Sequence, residues 1–162
     1  LVGANGPADP RVGGESGRQR IAGFGEGGFS IAPAGVAGES ARRCALLADR
    51  DETRIQGLRG QRDLRGYDGM VFLFQQDQTG AFVMGGVELP LEVAWFDANG
   101  AFVSSAAMAP CPDQPDNACP HAPSGPYRTA LETGAGGLAR LGVGPGAMLR
   151  VGGPCPSPTP DS

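Results

Sequence analysis

The residues best suited to chemistry lie in one polar loop, where two cysteines and the only histidine are close in sequence. Asp113 and Asp116 lie between Cys111 and Cys119, and His121 follows. A structural zinc site usually has four ligands, with about two to four residues inside each cysteine pair. Seven residues separate these two cysteines, and a single histidine completes the set poorly. The spacing therefore predicts no metal site and favours a disulfide that closes the loop.

The two remaining cysteines, Cys44 and Cys155, lie near the ends of the predicted core. An even number of cysteines is typical of an oxidising compartment. Four cysteines allow three pairings, and the sequence alone does not choose between them. The pairing we favour is Cys111–Cys119 together with Cys44–Cys155, which requires the first and last core strands to lie close together. We accordingly expect a periplasmic or extracellular protein, either free or at the membrane surface.

The histidine also raises the question of nucleophilic catalysis. His121 would need Ser104, Ser105 or Ser124 beside it and a carboxylate behind it. The sequence contains no Gly-x-Ser-x-Gly pattern, which marks a nucleophile on a strand-to-helix turn. We therefore interpret His121 as a surface residue and predict no catalytic residues.

Three carboxylates and two aromatic residues lie on or near predicted strands. Glu88, Glu92 and Asp97 could supply the acid pair of a glycoside hydrolase, although alternating carboxylates on a strand are more typical of a solvated face. Trp95 and Tyr127 could present rings to a ligand. The binding residues that we predict are Trp95, Tyr127 and Glu92.

A glycine-rich run at residues 23–28 has the spacing of a dinucleotide-binding fingerprint. That fingerprint functions only between a strand and a helix, where the helix N-terminus meets the pyrophosphate. Here Pro33 follows closely, and no strand is predicted before the run. We predict no cofactor.

Charge and hydropathy exclude two classes of partner. The net charge is −4, and all thirteen basic residues are arginine, so nucleic acid is not an expected partner. No run of eighteen apolar residues occurs, so no transmembrane segment is predicted. Residues 42–65 contain seven arginines and four acidic residues. This is most simply a solvated helix, with a docking patch for an acidic partner as the alternative.

Composition divides the chain into three parts. Residues 1–40 contain eleven glycines without apolar periodicity and predict an extended arm, which either folds back on its own domain or lies on a partner. Residues 41–153 have the apolar pattern of a folded domain, and residues 154–162 form a proline-rich tail.

Within the core, apolar runs alternate with turn residues. The predicted strands are residues 44–48, 70–74, 81–84, 91–97, 101–105, 127–132 and 147–151, and the predicted helices are residues 49–64 and 135–141. Asp49 or Asp51 is expected to cap the first helix, and Asn99-Gly100 to supply a tight hairpin turn with positive φ angles. The order predicts an α+β fold: a mostly antiparallel, barrel-like β domain with two short helices and the glycine-rich arm.

Four stretches of this core, in this order, resemble the family called domain of unknown function 192. They are Gly57-Leu58, residues 69–72, residues 89–100 (Leu-Pro-Leu-Glu-Val-Ala-Trp-Phe-Asp-Ala-Asn-Gly) and the loop that contains Cys111 and Cys119. The resemblance implies a small mixed-sheet domain, frequently exported, without an established activity. Typical members carry Phe-Trp-Met-Lys-Asn-Thr where residues 82–87 read Phe-Val-Met-Gly-Gly-Val. A family site built on those polar side chains would be lost here.

These observations lead to two functional hypotheses. The first is a non-catalytic accessory subunit that docks on a larger, membrane-associated assembly, contacted through residues 1–40. The second is a domain that binds a small ligand or a carbohydrate on the sheet around Trp95 and Tyr127. They differ in a simple observable, since the first requires residues 1–40 to pack against another chain.

Overall fold

The computed structural model describes residues 17–37 and 40–158, which form one seven-stranded sheet, a two-stranded ribbon and two short helices. In chain order the elements are β1 (Gly25–Ala32), β2 (Arg43–Ala48), α1 (Asp51–Gln56), β3 (Gly69–Gln78), β4 (Phe82–Val83), β5 (Leu91–Phe96), β6 (Phe102–Met108), β7 (Pro120–His121), β8 (Tyr127–Gly134), α2 (Gly137–Leu141) and β9 (Met148–Val151). No helix in the described part of the chain is long and apolar enough to cross a membrane.

The large sheet has the strand order β6-β5-β8-β3-β2-β1-β9. Neighbouring strands are antiparallel except β2 and β3, which run parallel. A parallel pair needs a crossover connection, and residues 49–68, which include α1, supply it. The sheet is therefore mostly antiparallel, as expected from the sequence, and it is mixed because one of its six strand pairs is parallel.

The sheet curls into a half-barrel whose two edges touch at one point. Ala101, just before β6, forms an isolated bridge with Met148 of β9. Leu149 N donates a hydrogen bond to Gly100 O at 2.8 Å. A Cβ atom at Gly100 would lie 2.3 Å from Leu149 O, so this closure requires glycine.

The predicted turn at Asn99-Gly100 is present, with a different backbone conformation. Only Gly100 has a positive φ, of 86°, and its N–H donates to Asp97 O at 2.9 Å. Asp97 Oδ1 also accepts hydrogen bonds from Asn99 N and Ala101 N. A tight turn followed by a glycine bulge therefore joins β5 to β6. The Asp97 carboxylate stabilises this turn through its two hydrogen bonds.

The described part of the predicted arm belongs to the domain. Residues 25–32 form β1, which lies between β2 and β9 in the large sheet. Its glycines permit close approach: a Cβ at Gly27 would lie 3.0 Å from Leu47 Cδ1, and one at Gly28 would lie 2.6 Å from Pro154 O. The prediction of an extended arm is therefore wrong for these residues. Residues 1–16 of the arm and 159–162 of the tail lie outside the described residues.

The first helix is shorter than predicted. α1 ends at Gln56 because Gly57 and Gly60 take positive φ angles of 49° and 79°. Its N-cap is Arg50, whose N–H donates to Thr53 Oγ1 at 3.1 Å. The expected aspartate cap is therefore absent.

Each face of the sheet carries its own core, since side chains alternate along the strands. One face, which we call the cleft-side core because it borders a cavity beneath α1, includes Leu46, Met70, Phe72, Val93 and Trp95. The far-side core includes Phe29, Val71, Ala94, Phe96 and Leu131. The first is covered by α1, the turns after it and the β4–β7 ribbon, and the second by α2 and the loop before β9.

Candidate functional site

One cavity on the cleft side of the sheet is a cleft of about 280 Å³ beneath α1, and it is lined mostly by apolar and aromatic residues. Its roof is residues 54–59, at the end of α1 and in the turn that follows. Its floor and walls come from β3, β8 and the β4 ribbon strand, with Val87 at one end. We call this cavity the α1 cleft.

Two local irregularities of the chain keep the α1 cleft open. The pairing of β3 with β8 is interrupted between Leu73 and Gln78, so the strands separate there and Phe74 lies at the gap. Gly57 turns the chain away from α1, and a Cβ there would come within 3.6 Å of the Phe72 ring. The sheet therefore does not close fully against the helix.

The walls of the cleft are aromatic rings packed edge to face. Phe72 lies 4.9 Å from Phe82, Phe74 lies 5.6 Å from Tyr127, and Phe82 lies 6.0 Å from Tyr127, between ring centroids. Such pairs hold each other in fixed orientations. The Tyr127 hydroxyl donates to Gly80 O at 2.8 Å, and burial raises its pKa to about 12. It therefore stays protonated at physiological pH.

A buried carboxyl group lies at the base of the cleft. Glu132 is on β8, opposite Met70 of β3 and Val93 of β5, and only 5% of it is exposed. No described residue donates a hydrogen bond to its carboxyl oxygens. Burial raises its pKa to about 8, against an opposing effect of the Arg59 charge. The group is therefore mostly protonated at neutral pH, and among residues 17–37 and 40–158 none donates a hydrogen bond to it.

Two arginines complete the lining. Arg59 donates from Nε to Gly85 O at 2.9 Å, from Nη2 to Asp116 O at 2.9 Å, and from Nη1 to Ile55 O. These three carbonyl groups fix the guanidinium group in place. The Arg59 side chain is 20% exposed, whereas its ionic partner Asp116 is 79% exposed.

The second arginine belongs to α1. The Arg54 guanidinium group lies 5.2 Å from the centre of the Phe74 ring, a cation–π arrangement. Its Nη1 donates to Leu73 O at 2.7 Å, and its Nη2 pairs with Asp51 at 2.8 Å. The Arg54 side chain is 20% exposed and that of Asp51 is 88% exposed. In both ion pairs the cation lines the cleft and the anion lies in solvent.

Of the three binding residues predicted from the sequence, only Tyr127 lines the α1 cleft. Trp95 is fully buried and packs behind the wall, 5.9 Å from Phe82 and 6.2 Å from Tyr127. Its indole Nε1 has no hydrogen-bond partner among the described residues. The carboxylate of Glu92 accepts hydrogen bonds from Gly136 N at 3.0 Å and Leu138 N at 3.1 Å. Glu92 therefore holds the start of α2, on the other face of the sheet.

Glu132 was missed, although the sequence carried a signal for it. In the strand predicted at residues 127–132, Ala130 and Glu132 share a face by the period of two. A glutamate on the same face as a buried alanine, in a central strand, is an exception to the usual exposure of carboxylates. The signal depends on knowing that β8 lies between β3 and β5, which the sequence does not provide.

Both disulfides of the favoured pairing are present. Cys44 and Cys155 are bonded, as are Cys111 and Cys119, and no free cysteine remains. The second bond closes the loop that carries Asp116, so it supports the wall that holds Arg59. Among the described residues, one group has a spacing that fits a metal ion: Glu26, Cys44 and Cys155. Two of its three ligands are bonded to each other as cystine.

Comparisons with known proteins agree with this fold. The family model DUF192, described as "Uncharacterized ACR", matches residues 34–151. The crystal structure of a candidate transcription regulator from Sinorhizobium meliloti 1021 is similar, with a TM-score of 0.68 and 23% identity, over 82% of this chain and 98% of the other. A protein of unknown function from Novosphingobium aromaticivorans DSM 12444 gives a TM-score of 0.66 and 24% identity, over 82% and 90%. No curated protein matches significantly. At these identities the likeness concerns the fold alone.

Proposed function

The chain belongs to the domain of unknown function 192 family, and from the α1 cleft we propose that it binds a small organic molecule with an apolar body and one polar group. The observation that carries this proposal is Glu132, a buried carboxyl group that lines an open cavity and has no hydrogen-bond partner in the described part of the chain. The family has no described activity, so membership neither supports nor opposes this proposal.

The first argument is the free-energy cost of burying the Glu132 carboxyl group. Burying a polar group without a hydrogen bond costs roughly 1–3 kcal/mol in protein mutational data. Neighbouring positions on the same face are apolar, as at Met70 and Val93, so an apolar residue would fit more favourably. A ligand that hydrogen-bonds Glu132 would offset this cost.

The second argument is the size and character of the cavity. Ligand pockets are typically ~300–1,000 Å³ and mostly apolar, with a few polar groups that set orientation. The α1 cleft, at about 280 Å³, lies at the lower limit and suits a molecule of roughly fragment size. Its walls are Phe72, Phe74 and Phe82. The apolar walls favour a ligand with an apolar body over a carbohydrate, whose surface is largely hydroxyl groups.

The docking hypothesis now has less support. It depended on an ordered arm at residues 1–40 that needed another chain to hold it. Residues 25–32 of that arm pair with β2 and β9 of their own domain, so their order requires no partner. Docking of an accessory subunit stays a prediction that no observation here tests.

The two disulfides are those of a protein outside the reducing cytoplasm. We extend this to a periplasmic or extracellular site of action for the ligand binder. Mass mapping under non-reducing conditions, on protein purified from its own host, should recover the two peptide pairs that contain Cys44–Cys155 and Cys111–Cys119. Free thiols at these positions would contradict the location.

Binding is tested with a neutral probe of suitable size, 3-phenylpropanamide, in a two-dimensional NMR titration of the full chain. We expect chemical shift changes at the amides of Gly57, Phe82 and Glu132. Ala81 lines the cleft and is exposed, so Ala81→Trp should block the entrance without disturbing the core. The matched control is Ala139→Trp, at an exposed position of α2 on the other face.

The proposal requires that Ala81→Trp reduce the affinity for the probe at least tenfold, while Ala139→Trp leaves it unchanged. Shift changes confined to α2, or equal affinity in both variants, would show that the α1 cleft is not the binding site.

A further inference from the structure

Resting on the proposed function, we infer that the ligand of the α1 cleft is an organic monocarboxylate, held by a hydrogen bond from protonated Glu132 and by the guanidinium groups of Arg54 and Arg59. The inference names the chemical class of the ligand, which the proposed function leaves open, and it makes binding depend on the proton of Glu132.

The distribution of charge is the first support. Arg54 and Arg59 line the cleft with side chains that are 20% exposed, whereas the acidic partners Asp51 and Asp116 are 88% and 79% exposed. Charges in solvent are screened far more than charges beside a cavity. Glu132 also lines the cleft, and its carboxyl group is uncharged when it is protonated. The space inside the cleft is therefore electropositive, which favours an anion.

The hydrogen-bonding capacity of the lining is the second support. A guanidinium group has five N–H donors and no acceptor. Arg59 contacts three carbonyl oxygens, and Arg54 contacts Leu73 O and Asp51. On both residues this leaves N–H groups without a hydrogen bond to any described residue. Protonated Glu132 adds an O–H donor. A carboxylate accepts several such bonds, and bonds to a charged acceptor are the stronger ones. An ammonium group only donates hydrogen bonds. In this cleft it would be repelled by the Arg54 and Arg59 guanidinium groups, and among these three side chains it would have only the Glu132 carboxyl group as an acceptor.

Several elements pack around Glu132. The α1 segment contributes Arg54 and Arg59, and β8 itself contributes Tyr127, which stays protonated. The facing positions of β3 and β5, Met70 and Val93, are apolar. The ribbon contributes Phe82 and Val83 to the lining, and its His121 does not line the cleft. Arginine remains charged throughout the accessible range of pH. Glu132 is therefore the group whose titration controls the affinity for an anion.

The direction of the pH dependence follows from linkage. Burial holds the pKa of Glu132 at about 8 in the empty cleft, and a carboxylate bound beside it raises this pKa further. Below pH 8 the proton is already in place, so the affinity for the anion stays constant. Above pH 8 the proton must be taken up on binding, so the dissociation constant rises up to about tenfold for each pH unit.

The test compares three probes of the same shape by titration calorimetry of the full chain between pH 6 and 9. They are 3-phenylpropanoate, the neutral 3-phenylpropanamide and the cation 3-phenylpropylamine. At pH 6.5 we expect the anion to bind at least tenfold more tightly than the amine, with the amide between them. Between pH 8 and 9 the anion should lose up to about tenfold in affinity, while the amide changes little.

Two substitutions separate the roles of the residues. Glu132→Gln keeps a neutral donor in the same place, so it should retain binding of the anion at pH 6.5 and abolish the loss above pH 8. Arg54→Gln should reduce the preference for the anion over the amide by about tenfold. The pH series on the unmodified chain stands by itself if either variant fails to fold.

Each outcome decides between the two proposals. If the amide binds as tightly as the anion at every pH, the monocarboxylate class is wrong and the proposed function stands. If the amine binds most tightly and its affinity increases with pH, Glu132 pairs with a cation and the inference is overturned. If no probe shows binding that Ala81→Trp reduces, the proposed function itself fails.

Discussion

Two glutamates on adjacent strands of the same sheet have opposite surroundings. Glu92 on β5 lies opposite Thr133, and Glu132 on β8 lies opposite Val93, one position along each strand. On the far side, the oxygens of Glu92 accept hydrogen bonds from Gly136 N and Leu138 N. On the cleft side, Glu132 is buried with no hydrogen bond from any described residue.

The difference separates structural from functional use of the same residue type. A carboxylate whose oxygens accept backbone N–H bonds stabilises the element that donates them, here the start of α2. A carboxyl group that is buried without partners destabilises the fold unless something else binds it. The far-side core accordingly serves stability, and the cleft-side core gives up some stability for a binding site. Four substitutions test this contrast.

The largest effect is expected from the far-side core. Phe29 is fully buried there, and Phe29→Ala should lower the free energy of unfolding by about 3–5 kcal/mol, because a large cavity replaces the ring. Phe74→Ala, at a partly buried ring that lines the cleft, should cost about 1–2 kcal/mol and weaken binding of 3-phenylpropanamide. Urea unfolding of both variants measures the comparison. Equal losses would show that the two cores do not differ in role.

The second effect is a gain in stability. Glu132 keeps its proton in the folded protein up to about pH 8, whereas its ordinary pKa is 4.5. The unfolded chain therefore binds fewer protons between these values, so this residue makes stability fall as pH rises from 4.5 to 8. Glu132→Gln removes that loss and should stabilise the protein by about 2–3 kcal/mol at pH 7, with little effect at pH 4.

Thermal unfolding of the wild type and of Glu132→Gln across pH 4–9 measures this difference directly. A constant difference, or destabilisation by Glu132→Gln at pH 7, would mean that the carboxyl group is ionised and paired in the folded protein. The proposed binding site would then lose the observation that carries it.

The same substitution at the other glutamate should have the opposite sign and a smaller size. Glu92→Gln replaces a charged acceptor of two amide bonds with a neutral amide, and should destabilise the protein by about 1–2 kcal/mol at pH 7. Hydrogen exchange should show faster exchange at Gly136 and Leu138. If exchange there is unchanged, Glu92 does not hold α2 as described.

Local signals in the sequence predicted part of this arrangement. The turn at Gly100 and the disulfide Cys111–Cys119 depend on residues close in sequence, and both are found. The pairing Cys44–Cys155 was favoured but not determined by the sequence, and it is present although β1 lies between the first and last predicted core strands. The family likewise follows from four short stretches in order.

The remaining features depend on contacts between distant residues. β1 has no apolar periodicity, and its glycines are explained only by the close approach of Leu47 and Pro154. Trp95 was expected to face a ligand, yet β5 lies inside the sheet, where that position is buried. Glu132 acquires its properties from strands that precede it by many residues, so no local pattern reveals that its carboxyl group borders a cavity.

The pairing of β1 with β9 has a consequence for the order in which the molecule can be assembled. Phe29 lies opposite Val151, so the strand nearest the start of the described chain completes its hydrogen bonds only with the strand nearest its end. Contacts of such large sequence separation slow folding, because the entropy of closing the loop is lost before the contact forms. A chain that emerges from the ribosome or a secretion channel N-terminus first therefore carries β1 with one unpaired edge until residues 148–151 have followed. That exposed edge is where the unfinished chain can pair with other strands and aggregate.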